Sequence, residues 1–181
     1  MNQTIGCVWW GVLLLLGTAA PVAAQSDEAP TVVVVVRHAE TGMGMNQGRD
    51  PSLNEAGKAR AAALIDVAGG ADVKAVFSSQ FKRTQETAAP LATHFGRPVT
   101  TMEVSGANLA TYPEQVAERV LAEHRGETVV VVNHSNTVPR IVEALGGASV
   151  PEIAEDVYDL AFIVVVPAAG PVRTLTLRYG S

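Results

Sequence analysis

Two runs of valine dominate the hydrophobic pattern of this chain. Each run leads into a polar residue and then a histidine: Val32–Val36 into Arg37 and His38, and Val129–Val132 into Asn133 and His134. A continuous β-branched run of this kind predicts a strand buried on both faces, as in a parallel sheet covered by helices. Ligands bind at the carboxyl edge of such sheets, so both histidines are expected to reach one binding edge.

The rest of the pattern alternates strands with amphipathic or alanine-rich helices. The predicted helices run from Glu55 to about Val67 after an N-cap at Asn54, then over Gln80–Phe95, Tyr112–Arg125, Val138–Leu145 and a short stretch, Pro151–Tyr158. The predicted strands are Thr31–Val36, Val73–Ser78, Val99–Val104, Thr128–Val132, Ala161–Val166 and Arg173–Tyr179. The third strand is more polar and is expected nearer an edge, and the last two are expected to form an antiparallel hairpin. This order predicts a three-layer α/β sandwich whose sheet is mostly parallel, with at least one antiparallel strand.

The first residues are expected to be an export signal rather than part of the fold. An apolar segment, Ile5–Leu16, precedes the small residues Val22 to Ala24, which are typical of a cleavage site. This predicts a signal peptide over residues 1–24, a flexible leader over 25–30 and a single domain over 31–181, exported to the periplasm or beyond. Residues 1–4 contain no lysine or arginine, so a membrane anchor formed by residues 5–24 is the alternative.

Composition excludes some classes of partner and chemistry. The formal net charge of -5 argues against a general nucleic-acid binder, whose surface is basic. The single cysteine, Cys7, lies in the predicted signal, so the mature chain is expected to have no disulfide and no thiol nucleophile. No metal-binding motif is present in the sequence. Any anion site must therefore be a local cluster of basic residues.

An arginine is predicted to join the two histidines. Arg83 falls in the first turn of a helix that follows the second strand, where free backbone amides also face the binding edge. Arginine makes bidentate, permanently charged contacts with phosphate, so Arg37 and Arg83 are candidates for a phosphate clamp. Either histidine or Arg83 alone would be equally consistent with an ordinary loop or solvated helix residue. The combination favours chemistry on a phosphorylated small molecule.

Three segments together resemble the motifs of a known family. They are Arg37-His38-Ala39-Glu40-Thr41, then Ser79-x-x-x-Arg83-x-x-x-Thr87, and Asn133-His134-Ser135-Asn136-Thr137. In this order they resemble the signature of the histidine phosphatase superfamily, in the branch of phosphoglycerate mutase-like proteins. Residues 51–57 are similar to the family segment that links the first loop to the first helix.

The resemblance implies a phosphoglycerate mutase-like fold and a metal-independent phosphomonoesterase that needs no cofactor. His38 would attack phosphorus and carry the phosphoryl group as phosphohistidine. Arg37, Arg83 and His134 would neutralise the charge on the phosphoryl oxygens. Thr41 and Ser135, which belong to these motifs, are expected to bind substrate.

The chain departs from the family pattern at three points. Ala39 stands where the family has glycine, and the change between two small residues is expected to be tolerated. The usual phosphate-contacting asparagine is replaced by Gly44, and Asn46 is a candidate substitute through a shift of the loop. The general acid is expected just after the third strand, where Glu103 is the candidate; an exposed, non-catalytic Glu103 is the equal alternative.

Other functions remain open from the sequence. A phosphohistidine phosphatase or a mutase of the same superfamily would use the same core, although the short segment between Arg83 and His134 argues against a mutase. A protein that binds a phosphorylated ligand without turnover is the alternative outside enzymes. The sequence indicates neither the natural substrate nor the oligomeric state.

Overall fold

The strands of this chain form one mixed sheet. The computed structural model describes residues 28–42 and 48–180. The strands are β1 (Thr31–Arg37), β2 (Val73–Ser78), β3 (Val99–Thr101), β4 (Thr128–Asn133), β5 (Leu160–Val166) and β6 (Arg173–Arg178). The helices are α1 (Glu55–Ala68), α2 (Lys82–His94), α3 (Tyr112–Glu123) and α4 (Val138–Ala144). The predicted α/β class, the order of the six strands and four of the five predicted helices are thereby confirmed.

The sheet has the order β3-β2-β4-β1-β5-β6. The first four strands in this order are parallel to one another, whereas β5 pairs antiparallel with both β1 and β6. The predicted hairpin and the edge position of β3 are therefore correct. The two valine runs lie side by side at the centre, with Val32 to Val36 paired to residues 128–132 in unbroken register.

The alternation of side chains along the valine strands explains why the runs are continuous. Val33 and Val35 point into a core with α3 and α4, where Val116 and Ile141 are fully buried. Their neighbours Val34 and Val36 point to the opposite face, into the core that α1 and α2 cover. Because successive residues of a strand face opposite sides, a strand covered on both faces needs an apolar residue at every position.

Helix α1 begins where the sequence predicted and packs closely on the loop after β1. The Asn54 side chain accepts a hydrogen bond from the Gly57 amide at 2.8 Å and caps the helix. A Cβ atom at Gly57 would lie 2.1 Å from the carbonyl oxygen of Glu40. Only glycine allows this close approach between the helix and the segment that follows the first histidine.

Two predicted elements were wrong in extent or kind. The stretch Pro151–Tyr158 is not a helix; it is an irregular loop with one turn at Glu155 and Asp156. Backbone carbonyls in this loop accept hydrogen bonds from an arginine side chain, as described below, instead of from helical amides. Strand β3 ends at Thr101 rather than Val104, because the chain leaves the sheet edge after Met102 bonds to Ser78.

The N-terminal predictions fall mostly outside the described residues. The signal peptide (1–24) and the first part of the leader (25–30) lie within residues 1–27. They remain predictions from the sequence. Among the described residues, no helix has the length and apolar character needed to cross a membrane.

Candidate active site

The strand register brings the two histidines together. Arg37 and Asn133 are directly paired across the β1–β4 ladder, so His38 and His134 leave adjacent strands at the same level. The His38 amide donates to the Asn133 carbonyl at 2.8 Å, which extends the pairing by one residue. The imidazole rings meet edge to face with centroids 5.5 Å apart. The prediction that both histidines converge on one edge of the sheet is therefore confirmed.

The ring of His38 is held with one nitrogen free. Its Nδ1 lies 2.9 Å from the carbonyl oxygen of Ala39. A carbonyl only accepts, so Nδ1 carries the proton and Nε2 keeps its lone pair. Burial, and after it the charges of Arg83 and Arg37, lower the pKa of His38 to about 4 although the Ala39 bond acts to raise it. The imidazole is therefore neutral near pH 7, which is the state that a nucleophile requires.

The residue after His38 is anchored to helix α2. The Ala39 amide donates to the hydroxyl of Thr87 at 2.9 Å. Its methyl group is fully buried against Leu53 and Ala61. The position that holds glycine in the family pattern thus accommodates a Cβ atom in this chain.

His134 is held by contacts at both ring nitrogens. Its Nε2 lies 2.9 Å from the hydroxyl of Ser79, and its Nδ1 lies 3.4 Å from Nη2 of Arg83. Burial, followed by the charges of Arg83, His38 and Arg37, lowers its pKa to about 3. His134 is therefore also neutral near pH 7.

Arg83 supplies the positive charge of the site. It is the second residue of α2, and its guanidinium carbon lies 4.6 Å from the centre of the Phe81 ring. Its side chain is only 19% exposed, and its one ion-pair partner among the described residues, Asp50, is 3.6 Å away. The long distance leaves most of the guanidinium charge uncompensated and directed to the histidines, as their lowered pKa values indicate.

Arg37 is held by the loop that follows α4, and its predicted role at the phosphoryl group stays a prediction. Its Nη1 donates to the carbonyl oxygens of Ala154, Glu155 and Val157 at 2.8 to 3.0 Å. The Tyr158 ring lies 4.1 Å from its guanidinium carbon. Its buried Nε has no hydrogen-bond partner among the residues that the structure describes. Arg37 thus ties the loop after α4 to the site while its charge still acts on both histidines.

A cavity of about 360 Å³ opens in front of these groups. It is lined by His38, Phe81, Arg83, Val104, Ser105, Gly106, Leu109, His134, Ser135, Asn136 and Thr137. The lining combines basic groups, the two imidazoles and Arg83, with the apolar side chains of Phe81, Val104 and Leu109. Such a cavity fits an anion attached to a larger, uncharged group.

Of the other predicted site residues that the structure describes, only one lines the cavity. Ser135 lines the cavity, whereas Arg37, Thr41 and Glu103 are not among the lining residues. Thr41 forms an isolated bridge with Leu53, and the side chain of Glu103 is exposed. Asn46 lies outside the described residues. The roles of Thr41, Asn46 and Glu103 therefore stay predictions.

Two residues that support the site were not predicted from the sequence. Tyr158 stacks on Arg37 and its ring centre is 6.1 Å from that of His38. Asp50 accepts hydrogen bonds from the Lys82 amide at the start of α2 and approaches Arg83. Asp50 sits in the loop that precedes α1, where an acidic residue next to a proline carries no specific signal. Tyr158 was hidden in the segment predicted to be a helix.

Within residues 28–42 and 48–180, no group of three or more histidine, cysteine or acidic side chains is arranged to hold a metal ion. The chemical equipment of the cavity is an unprotonated imidazole nitrogen, a guanidinium group and a second imidazole. This set suits transfer of an anionic group to His38, with charge on that group balanced by Arg83.

The fold is shared with phosphatases of known structure. A mycobacterial glucosyl-3-phosphoglycerate phosphatase matches with a TM-score of 0.62 and 17% identity, over 84% of this chain and 99% of that one. A putative phosphohistidine phosphatase from Nakamurella multipartita matches with a TM-score of 0.58 and 17% identity, over 84% and 98% of the two chains. At 17% identity, these similarities show that the fold is shared.

Similarity in sequence to other proteins covers only part of this chain. An uncharacterised protein of Mycobacterium tuberculosis is 46% identical over 66 residues, which are 34% of this chain and 33% of that protein. The chain thus matches about a third of the length of this curated relative. Residues 33–104, which include His38 and Arg83, match the sequence model of the histidine phosphatase superfamily (branch 1). This segment is therefore similar to the histidine phosphatase superfamily, branch 1, and the fold of the chain is the one found in the phosphatases above.

Proposed function

We propose that this protein is a phosphomonoesterase that works through a phosphohistidine on His38 and requires no metal ion. One observation carries the proposal. His38 donates from Nδ1 to the Ala39 carbonyl, which leaves Nε2 unprotonated at a cavity that Arg83 and His134 also line. A neutral imidazole with a fixed tautomer beside an uncompensated guanidinium is suited to attack a phosphate ester.

The reaction consists of two transfers at phosphorus. Nε2 of His38 forms a bond to phosphorus while the bond to the ester oxygen breaks, and the leaving alkoxide takes up a proton. Water then attacks phosphorus and gives a proton to the group that protonated the leaving alkoxide, the bond to Nε2 breaks and inorganic phosphate is released. Arg83 stabilises the charge on the equatorial oxygens in both steps, and Arg37 adds longer-range positive potential.

The covalent scheme is tested by trapping. Quenching of the enzyme mixed with a ³²P-labelled ester in alkaline detergent is expected to give acid-labile, base-stable label on the wild-type protein and none on His38→Ala. Turnover of His38→Ala should fall at least about 1,000-fold, while its circular dichroism stays unchanged. His94→Ala, which alters an exposed histidine at the end of α2, is the control.

The trapping experiment also separates an enzyme from a binding protein. A protein that only holds a phosphorylated ligand would bind phosphate through Arg83 and yet show neither label nor turnover. Retained turnover in His38→Ala would contradict the covalent scheme. Activity that persists in a chelator would support the absence of a metal requirement, and a loss restored by one divalent ion would contradict it.

We further propose Glu103, an exposed residue just after β3, as the general acid. Catalytic groups often reach their partners only in the substrate complex. Glu103→Gln is then expected to slow alkyl phosphate cleavage much more than aryl phosphate cleavage, since an aryl leaving group needs little protonation. Equal effects on both substrates would point to another acid.

The natural substrate is approached with a panel on protein that lacks residues 1–24. Sugar, nucleotide, lipid and aryl phosphates test the phosphomonoesterase, a phosphohistidine peptide tests the first alternative within the superfamily, and a phosphoglycerate tests the mutase. Export is tested on the whole chain by cell fractionation with N-terminal sequencing. A mature N-terminus at Gln25 would support cleavage of the signal, and an intact N-terminus in the membrane fraction would support the anchor.

A further inference from the structure

His134 is backed by a chain of hydroxyl groups that its position in the family motif does not explain. Its Nε2 lies 2.9 Å from Oγ of Ser79, which lies 2.8 Å from Oγ1 of Thr84. Thr84 in turn donates to the Phe81 carbonyl at 2.8 Å in the first turn of α2. Ser79 and Thr84 are completely buried, so water does not compete for these hydrogen bonds.

The direction of each hydrogen bond follows from the ends of the chain. The Thr84 hydroxyl has one proton and two carbonyl acceptors within reach, Phe81 at 2.8 Å and Ser79 at 3.1 Å, so it donates to a carbonyl and the Ser79 hydroxyl donates to Thr84. Ser79 must then accept from Nε2 of His134, which carries the ring proton. The far side of the ring agrees, because Nη2 of Arg83 faces Nδ1 and a guanidinium has only donors.

The opposite tautomer would place two donors against each other. With the proton on Nδ1, an N–H group would face the Arg83 N–H group at 3.4 Å, and Nε2 would need a proton from Ser79. That proton is already committed to Thr84. Both sides of the ring therefore select the Nε2–H form, with the Nδ1 lone pair on the side of Arg83.

We infer that Ser79 is a positioning residue that fixes His134 in the Nε2–H tautomer, so that the site selects phosphate esters that arrive with one proton on the phosphoryl group. This inference rests on the proposed phosphatase function. A dianionic ester would bring a phosphoryl oxygen against the Nδ1 lone pair of His134, and two acceptors repel. A monoanionic ester brings a P–OH group that donates to Nδ1.

The proton balance of the complex is simple. The P–OH proton moves to Nδ1 of His134, which becomes an imidazolium that donates to the now dianionic phosphoryl group and to Ser79. His38 gains no proton and keeps Nε2 free for attack. No proton enters from solvent, so the productive complex contains the proton that the ester carried.

The surroundings of His134 do not offer a second route to this protonated state. The charged or titratable groups that act on it are Arg83 from α2, and His38 and Arg37 from the end of β1. All three disfavour the imidazolium, and burial acts in the same direction. Free enzyme near neutral pH therefore holds His134 unprotonated at Nδ1, and the bound phosphoryl group must supply the proton.

The tautomer is measured directly in the wild-type protein by ¹⁵N histidine NMR. We expect His134 to show a protonated Nε2 and an unprotonated Nδ1 at pH 7, with assignment from the signal that disappears in His134→Gln. Addition of inorganic phosphate should protonate Nδ1 as well. A protonated Nδ1 in the free protein would overturn the inference, whatever the enzyme's activity.

The kinetic test uses the second pKa of the ester, which is about 6 for an alkyl phosphate. In the wild type, kcat/KM for an alkyl ester should fall about tenfold per pH unit above that value, and the fall should begin at lower pH for a more acidic aryl ester. A profile that is flat from pH 6 to 8 for both esters would overturn the inference.

The role of Ser79 is tested against its neighbour. Ser79→Ala frees the ring to adopt the other tautomer in the complex, so the alkaline fall in kcat/KM should become shallower. Ser78→Ala removes an equally buried hydroxyl that donates to the Ser79 carbonyl and does not contact His134, and its profile should keep the wild-type shape. Identical profile shapes for both variants would remove Ser79 from this role.

The proposed phosphatase function and the selection of monoanionic esters can be refuted independently of each other. Absence of turnover and of trapped phosphoenzyme would refute the proposed phosphatase while the NMR tautomer still stood. A phosphatase with a protonated Nδ1, or without dependence on the ester pKa, would leave the proposed function in place and refute the selection of monoanionic esters.

Discussion

Glu40 and Arg60 form a two-pronged ion pair directly behind the proposed nucleophile. Nε and Nη2 of Arg60 donate to the Glu40 carboxylate at 2.7 to 3.0 Å. The remaining nitrogen, Nη1, donates to the carbonyl of Tyr179 at 2.7 Å. One side chain thus connects the segment after His38, helix α1 and the end of the chain beyond β6.

Removal of this connection should destabilise the protein more than loss of a surface ion pair. The side chains of Arg60 and Glu40 are only 15% and 19% exposed, so Arg60→Ala leaves a poorly solvated carboxylate. We expect the free energy of unfolding to fall by about 1 to 3 kcal/mol in urea denaturation at pH 7. Arg119→Ala, which breaks the exposed pair with Glu123, should change it by less than about 1 kcal/mol. Equal losses in both variants would contradict a special role for Arg60.

The same pair makes a pH-dependent contribution. Burial acts to raise the pKa of Glu40, but the hydrogen bonds and charge of Arg60 outweigh it and hold the pKa below the ordinary value of 4.5. The stabilisation is therefore complete above pH 4.5 and is lost as the pH falls through the lowered value. In Arg60→Ala this part of the acid destabilisation should disappear.

Activity should persist to unusually low pH for an enzyme with a histidine nucleophile. The pKa of His38 is lowered to about 4, chiefly by burial and then by Arg83 and Arg37. Since only the neutral ring attacks, the acid limb of kcat/KM should lie near pH 4 rather than 6.5, with activity lost as the pH falls through it. Arg83→Met removes a charge that lowers the pKa, so its acid limb should move to higher pH. If the acid limb of kcat/KM in the wild type lies near pH 6.5 instead, the His38 ring is hydrated in solution and its pKa is not lowered.

Arg83→Lys should fail to replace arginine at the site. Lysine keeps the charge but cannot make two parallel hydrogen bonds to a phosphoryl group or stack on Phe81 in the same way. We expect kcat to fall about 100- to 1,000-fold, with the larger part of the loss in the transition state. Arg119→Lys on the surface of α3 is the matched control and should retain wild-type kinetics. A loss below tenfold in Arg83→Lys would mean that charge alone suffices.

The Tyr158 ring is expected to matter for catalysis through Arg37. Tyr158→Ala removes the ring that stacks 4.1 Å from the Arg37 guanidinium, and kcat should fall several-fold as Arg37 loses its fixed orientation. Tyr158→Phe keeps the ring and should retain most of the activity. If the two variants lose activity equally, the hydroxyl group rather than the stacking is responsible.

The sequence predicted the parts of this fold that depend on local pattern. The valine runs gave β1 and β4, and the rule that ligands bind at the carboxyl edge placed His38 and His134 together. Asn54 predicted the start of α1 because a cap acts through its own neighbours in the chain. These features need no knowledge of distant contacts.

What the sequence did not reveal depends on contacts between distant segments. Residues 151–158 were predicted as a helix, but three of their carbonyls bind Arg37, more than 100 positions earlier in the chain. The motif predicted Arg37 as a phosphate ligand, which stays a prediction, but it gave no sign of the three hydrogen bonds from Nη1 to those carbonyls. Tyr158 and Asp50 likewise owe their places to tertiary packing, which periodicity does not encode.

The ladder between β1 and β4 has a consequence for how this architecture can change. His38 and His134 leave the sheet one residue beyond the paired Arg37 and Asn133, so the spacing between neighbouring strands sets the distance between the imidazoles. The 95 intervening positions do not enter into it. Loops on the opposite rim, such as the turn at residues 69–72, are therefore free to lengthen or be exchanged, whereas a single inserted residue within either valine run would turn one imidazole away from the other.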